Sequence, residues 1–248
     1  MNSVAINADL EIRRLVVVRG SKVVVDGIDL RIRPASITAL MGANGAGKTS
    51  TVLALSGVIR PAAGEILLDG RNILGMGADA IRRLGLATVA EGHQVLRELS
   101  VLDNLRAAGS ALPEAELDSR IKDQLTAFPE LSERLRARAG DLSGGQQQMV
   151  ALAQAMIDSP RFLIIDELSF GLAPAVVMRL VPIIKRIAAS GVGVLLIEQF
   201  TTLSLALADH VYVMSRGDVS YDGPPATLRS NPQILHQAYF PVESAAAA

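Results

Sequence analysis

The chain has 248 residues, half of them hydrophobic and 20% charged, with a net charge of −1. A sizeable core can be buried, and the basic excess of a nucleic-acid binder is missing. The lack of cysteine excludes disulfides and thiolate metal sites, and no run approaches the roughly 20 apolar residues that span a bilayer.

In chain order, residues 1–11 show no basic stretch followed by an apolar one, so no signal peptide is expected. The β-branched runs 16–18 and 23–30 flank Gly20-Ser21-Lys22 and predict an antiparallel strand pair. Residues 37–41 form a short apolar strand running into a glycine-rich loop, with a helix expected over about 48–57. Residues 65–68 read as a strand closed by the turn Asp69-Gly70, and 86–89 as a further strand. Over 101–139 charged residues recur at helical spacing, with breaks at Pro113 and Pro129, which predicts a helical lobe. A helix opens at Gly144 or Gly145 and runs through Ile157. A buried strand is expected at 162–166, and a helix at 174–189 that Pro182 kinks or restarts. A buried strand at 192–197, a helix at 201–208, closing strands at 211–214 and 219–221, and one or two short helices over 227–239 follow. Ser244 to Ala248 reads as a frayed tail, and His93, His210 and His236 do not stand at metal-ligand spacing. Strands alternating with helices predict an α/β fold: a mostly parallel sheet covered on both faces, with an antiparallel N-terminal portion.

The loop Gly42-Ala43-Asn44-Gly45-Ala46-Gly47-Lys48-Thr49 fits G-x-x-x-x-G-K-[ST]. Glycines let backbone N–H groups converge on a phosphate without Cβ clashes, and the following helix aims its positive end at the same point. Lys48 adds a full charge for the outer phosphates, and the Thr49 hydroxyl is placed to ligate Mg²⁺. The plain alternative is a glycine-rich β-to-α turn with a solvated lysine.

Arg161 to Ile165 is mostly apolar and ends in Asp166-Glu167. A buried strand brings these acids to the sheet edge where the phosphate loop sits, so Asp166 is a candidate Mg²⁺ ligand and Glu167 a candidate to polarise an attacking water. Leu142-Ser143-Gly144-Gly145-Gln146 stands just before a helix, where the Ser143 hydroxyl and two glycine amides make a second anion cradle. Its plain alternative is an ordinary serine N-cap.

In this order and spacing, the motifs resemble the ATP-binding cassette (ABC) family over about residues 10–240. The resemblance implies a P-loop NTPase cassette, one domain spanning 1–248, with the helical lobe at about 95–160 inserted in a RecA-like core. It implies ATP and Mg²⁺ as cofactors, with Gly42, Asn44, Gly45, Ala46, Gly47, Lys48, Thr49 and Ser50 on the nucleotide. Leu142 to Gln146 would face the ATP of a second cassette, so a lone subunit has an incomplete site. ATP would bring two cassettes together, and hydrolysis would let them part and move two transmembrane permease subunits.

Within the family, Asp166-Glu167-Leu168-Ser169-Phe170-Gly171-Leu172-Ala173-Pro174, Ile197-Glu198-Gln199 and Val89-Ala90-Glu91-Gly92 resemble the branched-chain amino acid importers, in particular their LivF-type subunit. This implies pairing with a LivG-type cassette in preference to a homodimer, an indirect link to a substrate-binding protein, no nucleic-acid partner, and a peripheral place on the cytoplasmic face of the cell membrane. Glu91 stands at the glutamine that reaches Mg²⁺ in most cassettes, and Gln199 at the switch histidine, where an amide can donate to phosphate without carrying a proton. Arg19 occupies the adenine-stacking position, where a guanidinium can stack on a base or simply be solvated. Leu168 replaces a proline, which is expected to loosen the turn holding Glu167; Gln154 replaces a frequent arginine. The rival readings are a lipopolysaccharide-type exporter ATPase, a non-transport cassette and a non-hydrolysing regulatory cassette.

Overall fold

The structure, a computed structural model, describes residues 9–92 and 94–239. The readings made for residues 1–8, His93 and the alanine tail lie outside these residues. Strands β1 (Leu10–Arg19) and β2 (Lys22–Ile32) form the expected hairpin, with Arg19 opposite Lys22, but both run further than predicted. Bulges conceal the extra length in the sequence. Arg14 and Gly27 take positive φ, and the register shifts between Ile12 and Leu15, so the two-residue alternation is broken there. Strand β3 (Ile37–Gly42) leads into helix α1 (Lys48–Leu55). Strand β4 (Ala63–Leu68), short β5 (Arg71–Asn72), helix α2 (Ala78–Arg83) and β6 (Leu86–Val89) follow. Neither β5 nor α2 was expected.

The helical stretch comprises α3 (Val101–Ala108), α4 (Glu114–Ala127), α5 (Pro129–Ser132) and α6 (Gly144–Met156). Pro113 caps α4 and Pro129 opens α5, where a proline's missing N–H costs nothing. Strand β7 (Phe162–Asp166), helix α7 (Pro174–Ala189), strand β8 (Gly193–Glu198) and helix α8 (Thr201–Leu207) come next. Helix α7 is one continuous helix, so Pro182 does not restart it; the proline is exposed, where water can take the carbonyl it leaves without a donor. Strands β9 (His210–Ser215) and β10 (Asp218–Gly223) and helices α9 (Pro225–Ser230) and α10 (Pro232–Tyr239) close the chain.

The strands make two sheets. The antiparallel one runs β2-β1-β4-β5, and the other runs β10-β9-β3-β8-β7-β6 with only the β9–β10 pair antiparallel. The antiparallel portion is thus a separate layer. Central strands of the second sheet are buried on both faces, as crossover helices require. Along β7, Leu163 and Ile165 face the core shared with α6 and α7, whereas Phe162 and Ile164 face the core between the two sheets. Parallel pairing sends β3, β7 and β8 in one direction, so Gly42, Asp166 and Glu198 finish at one edge.

Candidate nucleotide-binding site

At that edge the chain leaves β3 through Gly42, whose φ of 150° comes with no room for a side chain. A Cβ there would stand 2.4 Å from the Met214 carbonyl oxygen. Gly47, at φ 111°, is equally confined, since its Cβ would meet the Val24 carbonyl at 2.6 Å. Gly45, at φ 80°, faces open space, so it is required by backbone conformation alone. Between them Ala46 is buried, its N–H donating to Ala43 and its carbonyl accepting from Gly217.

Lys48 is 5% exposed, and its Nζ donates to the carbonyls of Gly42 (2.7 Å) and Ala43 (3.2 Å). Burial lowers its pKa, while the charges of Glu167 and Asp166 raise it. The loop lines a shallow cavity of about 170 Å³ with Asn44, Gly45, Lys48, Thr49, Ser50 and, across from them, Glu167. Larger clefts exist, one of about 480 Å³ between the sheets lined by Arg31, His210 and Asp222. Two of its polar side chains already have partners, Arg31 on Asp9 and His210 on Asp222, and acids line it as well, so the smaller loop cavity with its buried lysine is the better candidate for an anion.

Asp166 ends β7 buried, and its pKa is pushed up to about 6 by burial first, then by Glu167 and Glu91, against the pull of Lys48. Glu167 is only half-buried and takes a positive φ of 49°, which a residue with a side chain adopts only when its surroundings hold it. Its N–H donates to the Ile197 carbonyl at 3.0 Å, and its carbonyl accepts from Phe170 at 3.1 Å. Leu168 is fully buried in the core beside α6 and α7, so the turn is anchored where a loosened one was expected. Glu91 lies exposed in the turn after β6, and Gln199 lies exposed just past β8. Arg19 is exposed at the end of β1 and does not line the loop cavity.

Residues Leu142 to Gln146 do not line that cavity either. Ser143 caps α6 in a reciprocal box: its Oγ accepts from the Gln146 N–H, and Gln146 Oε1 accepts from the Ser143 N–H at 3.1 Å. Gly145 is pressed against α7, where a Cβ would lie 2.2 Å from a Val176 methyl.

Four residues that sequence reasoning gave no role also hold this region. Gln147 is buried and donates from Nε2 to the carbonyls of Ala139 and Leu142, both at 3.1 Å, fixing the loop before α6. Glu198 is buried and accepts from Ser169. Burial pushes the Glu198 pKa up, and the hydrogen bonds from Ser169 and the Phe200 backbone oppose that. Tyr239, at the end of α10, accepts from the Gly42 N–H at 3.2 Å. Ser169 and Glu198 stand in the segments that carry the importer resemblance, without a role of their own there, and Gln147 and Tyr239 had no such signal. Gln154, in place of the frequent arginine, donates to the Asn104 carbonyl at 3.2 Å and ties α6 to α3.

A strand, a glycine loop with a buried lysine, a helix N-terminus and two acids on the neighbouring strand define a P-loop nucleotide-binding protein. Comparison with known proteins narrows that class. The family model described as ABC transporter matches residues 25–169. The high-affinity branched-chain amino acid transport ATP-binding protein BraG of Pseudomonas aeruginosa is 35% identical over 84% of this chain and 89% of its own. The lipopolysaccharide export system ATP-binding protein LptB of Acidithiobacillus ferridurans is 30% identical over 88% and 91%. In fold, the ADP conformation of MJ1267, an ATP-binding cassette of an ABC transporter, superimposes with a TM-score of 0.84 over 92% of this chain and 96% of that one, at 23% identity. The chain belongs to the ABC transporter family, and is an ATP-binding, ATP-hydrolysing subunit of that class.

Proposed function

We propose that this chain acts as one ATPase domain, with the lobe at about 95–160 inserted in its core, and powers import of branched-chain amino acids or related amides. The observation that carries this reading is the Glu198-Gln199 pair at the end of β8, together with the segment Asp166 to Pro174, over a cassette that matches BraG along most of its length.

In this reading the amides of residues 43–49 and the Lys48 ammonium grip the phosphates, with Ser50 beside them. Swinging from its own loop carbonyls to the phosphates, Lys48 exchanges two neutral acceptors for charged ones. Glu167, facing Lys48 across the cavity, takes the proton of the water that attacks the γ-phosphate, and the products are ADP and phosphate. The Gln199 amide donates a hydrogen bond to the γ-phosphate and transfers no proton. The Thr49 hydroxyl, the buried Asp166 carboxylate and Glu91 are hard oxygen donors, and an acid whose pKa is raised first by burial and then by neighbouring negative charge suits a cation site. These residues would hold Mg²⁺, which supplies charge neutralisation on the phosphates. Arg19, exposed on its hairpin, would reach adenine by stacking.

Leu142 to Gln146 would close over the nucleotide of a second cassette, preferably a LivG-type partner. Exposed Leu96 and Leu99, in the segment after Glu91, offer apolar area to two permease subunits at the cytoplasmic face of the cell membrane. A substrate-binding protein would act indirectly through those permeases, and no nucleic acid takes part.

The test is to purify the assembly held by the tagged full-length chain and measure ATP hydrolysis in liposomes. Stimulation by a binding protein loaded with a branched-chain amino acid or amide is the expected result. The match to LptB favours one rival, so stimulation by lipopolysaccharide instead would replace the import reading.

A further inference from the structure

Glu198 is 1% exposed, and it has no cationic partner among the ion pairs of the described residues. A buried carboxylate is costly unless donors converge on it. Here Oε1 accepts from the Ser169 N–H at 3.0 Å, Oε2 accepts from the Ser169 hydroxyl at 2.6 Å, and the Phe200 backbone adds a third bond. The contact therefore joins two segments. One is the turn after β7, with Glu167 at positive φ and Ser169 two residues on. The other is the end of β8, from which Gln199 and Phe200 emerge.

We propose that Glu198 is a positioning residue for hydrolysis: through Ser169 it clamps the turn that carries Glu167 to the segment that carries Gln199. This rests on the roles given above to Glu167 and Gln199. Apart from the clamp, the bond from the Glu167 N–H to the Ile197 carbonyl is what ties that turn to β8. Within the turn the Phe170 N–H donates to the Glu167 carbonyl and Leu168 is buried, but neither contact reaches the segment that carries Gln199. With the clamp, a shift of either segment is felt by the other, so the proposed base and the proposed phosphate sensor keep one geometry. Ser169 and Glu198 lie outside the loop cavity, so the clamp does not bear on the grip of the phosphates.

The experiment measures steady-state hydrolysis in the purified assembly, nucleotide affinity by calorimetry, and thermal unfolding. Glu198→Ala should lower kcat by about tenfold to a hundredfold, the scale of a small misplacement of a catalytic group, with ATP affinity kept within about twofold. Glu198→Gln retains an acceptor for the Ser169 N–H and an amide that can meet the hydroxyl, so it should recover most of the rate. Ser169→Ala should lose part of the rate on its own, and less in the Glu198→Ala background, because both changes cut one link. In a Glu167→Gln background, Glu198→Ala should reduce residual turnover no further. A wild-type rate in both Glu198→Ala and Ser169→Ala overturns the clamp while leaving the ATPase assignment intact. Parallel loss of ATP affinity and melting temperature in both also overturns it, in favour of a general structural role. No hydrolysis by the wild-type assembly would overturn the function itself.

Discussion

Asp166 carries its charge at neutral pH against burial and three neighbouring acids, with Lys48 alone among the named charges pulling the other way. Its folded pKa of about 6 lies above the ordinary 3.8, so folding is opposed wherever the unfolded chain is ionised and the folded one resists it. The cost is full above pH 6 and vanishes as pH falls toward 3.8. With solvent screening allowed for, it is on the order of 2 kcal/mol. Asp166→Asn should therefore raise the melting temperature of the nucleotide-free protein at pH 7.5, and the gain should shrink steadily toward pH 5. Thermal unfolding across that range checks it; a gain independent of pH would mean that the charge is not the cause. The same change removes the proposed cation ligand, so ATP turnover should fall while stability rises.

Much at this scale was readable because the chemistry is local. The glycines at 42, 45 and 47, the lysine and the paired acids stand within single turns of chain. Even so, the pattern treats the three glycines alike, whereas tertiary packing separates them: Gly42 and Gly47 face backbone carbonyls and Gly45 faces nothing. Long-range partners left no local trace. Glu198 meets Ser169 across 29 positions of sequence, and Tyr239 meets Gly42 across 197. The buried role of Leu168 was equally hidden, since a missing proline says nothing about which core the replacement enters.

Among the elements, long apolar runs and glycine-bounded strands were legible, and those with few buried residues were not. Helix α2 buries Ile81 alone, and β5 spans two exposed residues, so neither produces a periodic signal. Helix α6 shows how an element presents a site. Its N-terminus is fixed by the Ser143–Gln146 box and by Gln147, which reaches back to the carbonyls of Ala139 and Leu142. Gln147→Leu would leave the Leu142 carbonyl without its donor and the Ala139 carbonyl with the Leu142 N–H alone, at about 1–3 kcal/mol. The loop ahead of α6 should then loosen while the phosphate loop, on another element, is untouched. The expected outcome is unchanged ATP affinity in the lone subunit and reduced hydrolysis in the assembly. Calorimetry and a phosphate-release assay read the two separately, and a fall in lone-subunit affinity would contradict the division of labour.

At the scale of the whole molecule, that division leaves a chain with two proposed anion cradles, of which only the phosphate loop lines the cavity beside Glu167. The loop cavity, with Glu167 on its far wall, is shallow and open, and the neighbouring turns expose Phe170 (51%) and Phe200 (62%). Such side chains, flanking Glu167 and Gln199, gain by being covered. A second cassette face would cover them and bring its own helix N-terminus to the nucleotide. Closure would then be stabilised by ATP and ended by its hydrolysis, which makes the lifetime of the pair a direct reading of Glu167. Glu167→Gln keeps the size of the side chain and its hydrogen bonding but removes the base, so nucleotide binding should persist while turnover falls by two or more powers of ten, on the order of what general-base catalysis contributes. The ATP-bound pair should outlive the wild-type pair by a similar factor, measured as the decay of a fluorescence transfer signal between labelled cassettes after excess ADP is added. A pair that forms with ATP and decays at the wild-type rate would leave the enclosure in place and move the base elsewhere; one that never forms would take away the second face.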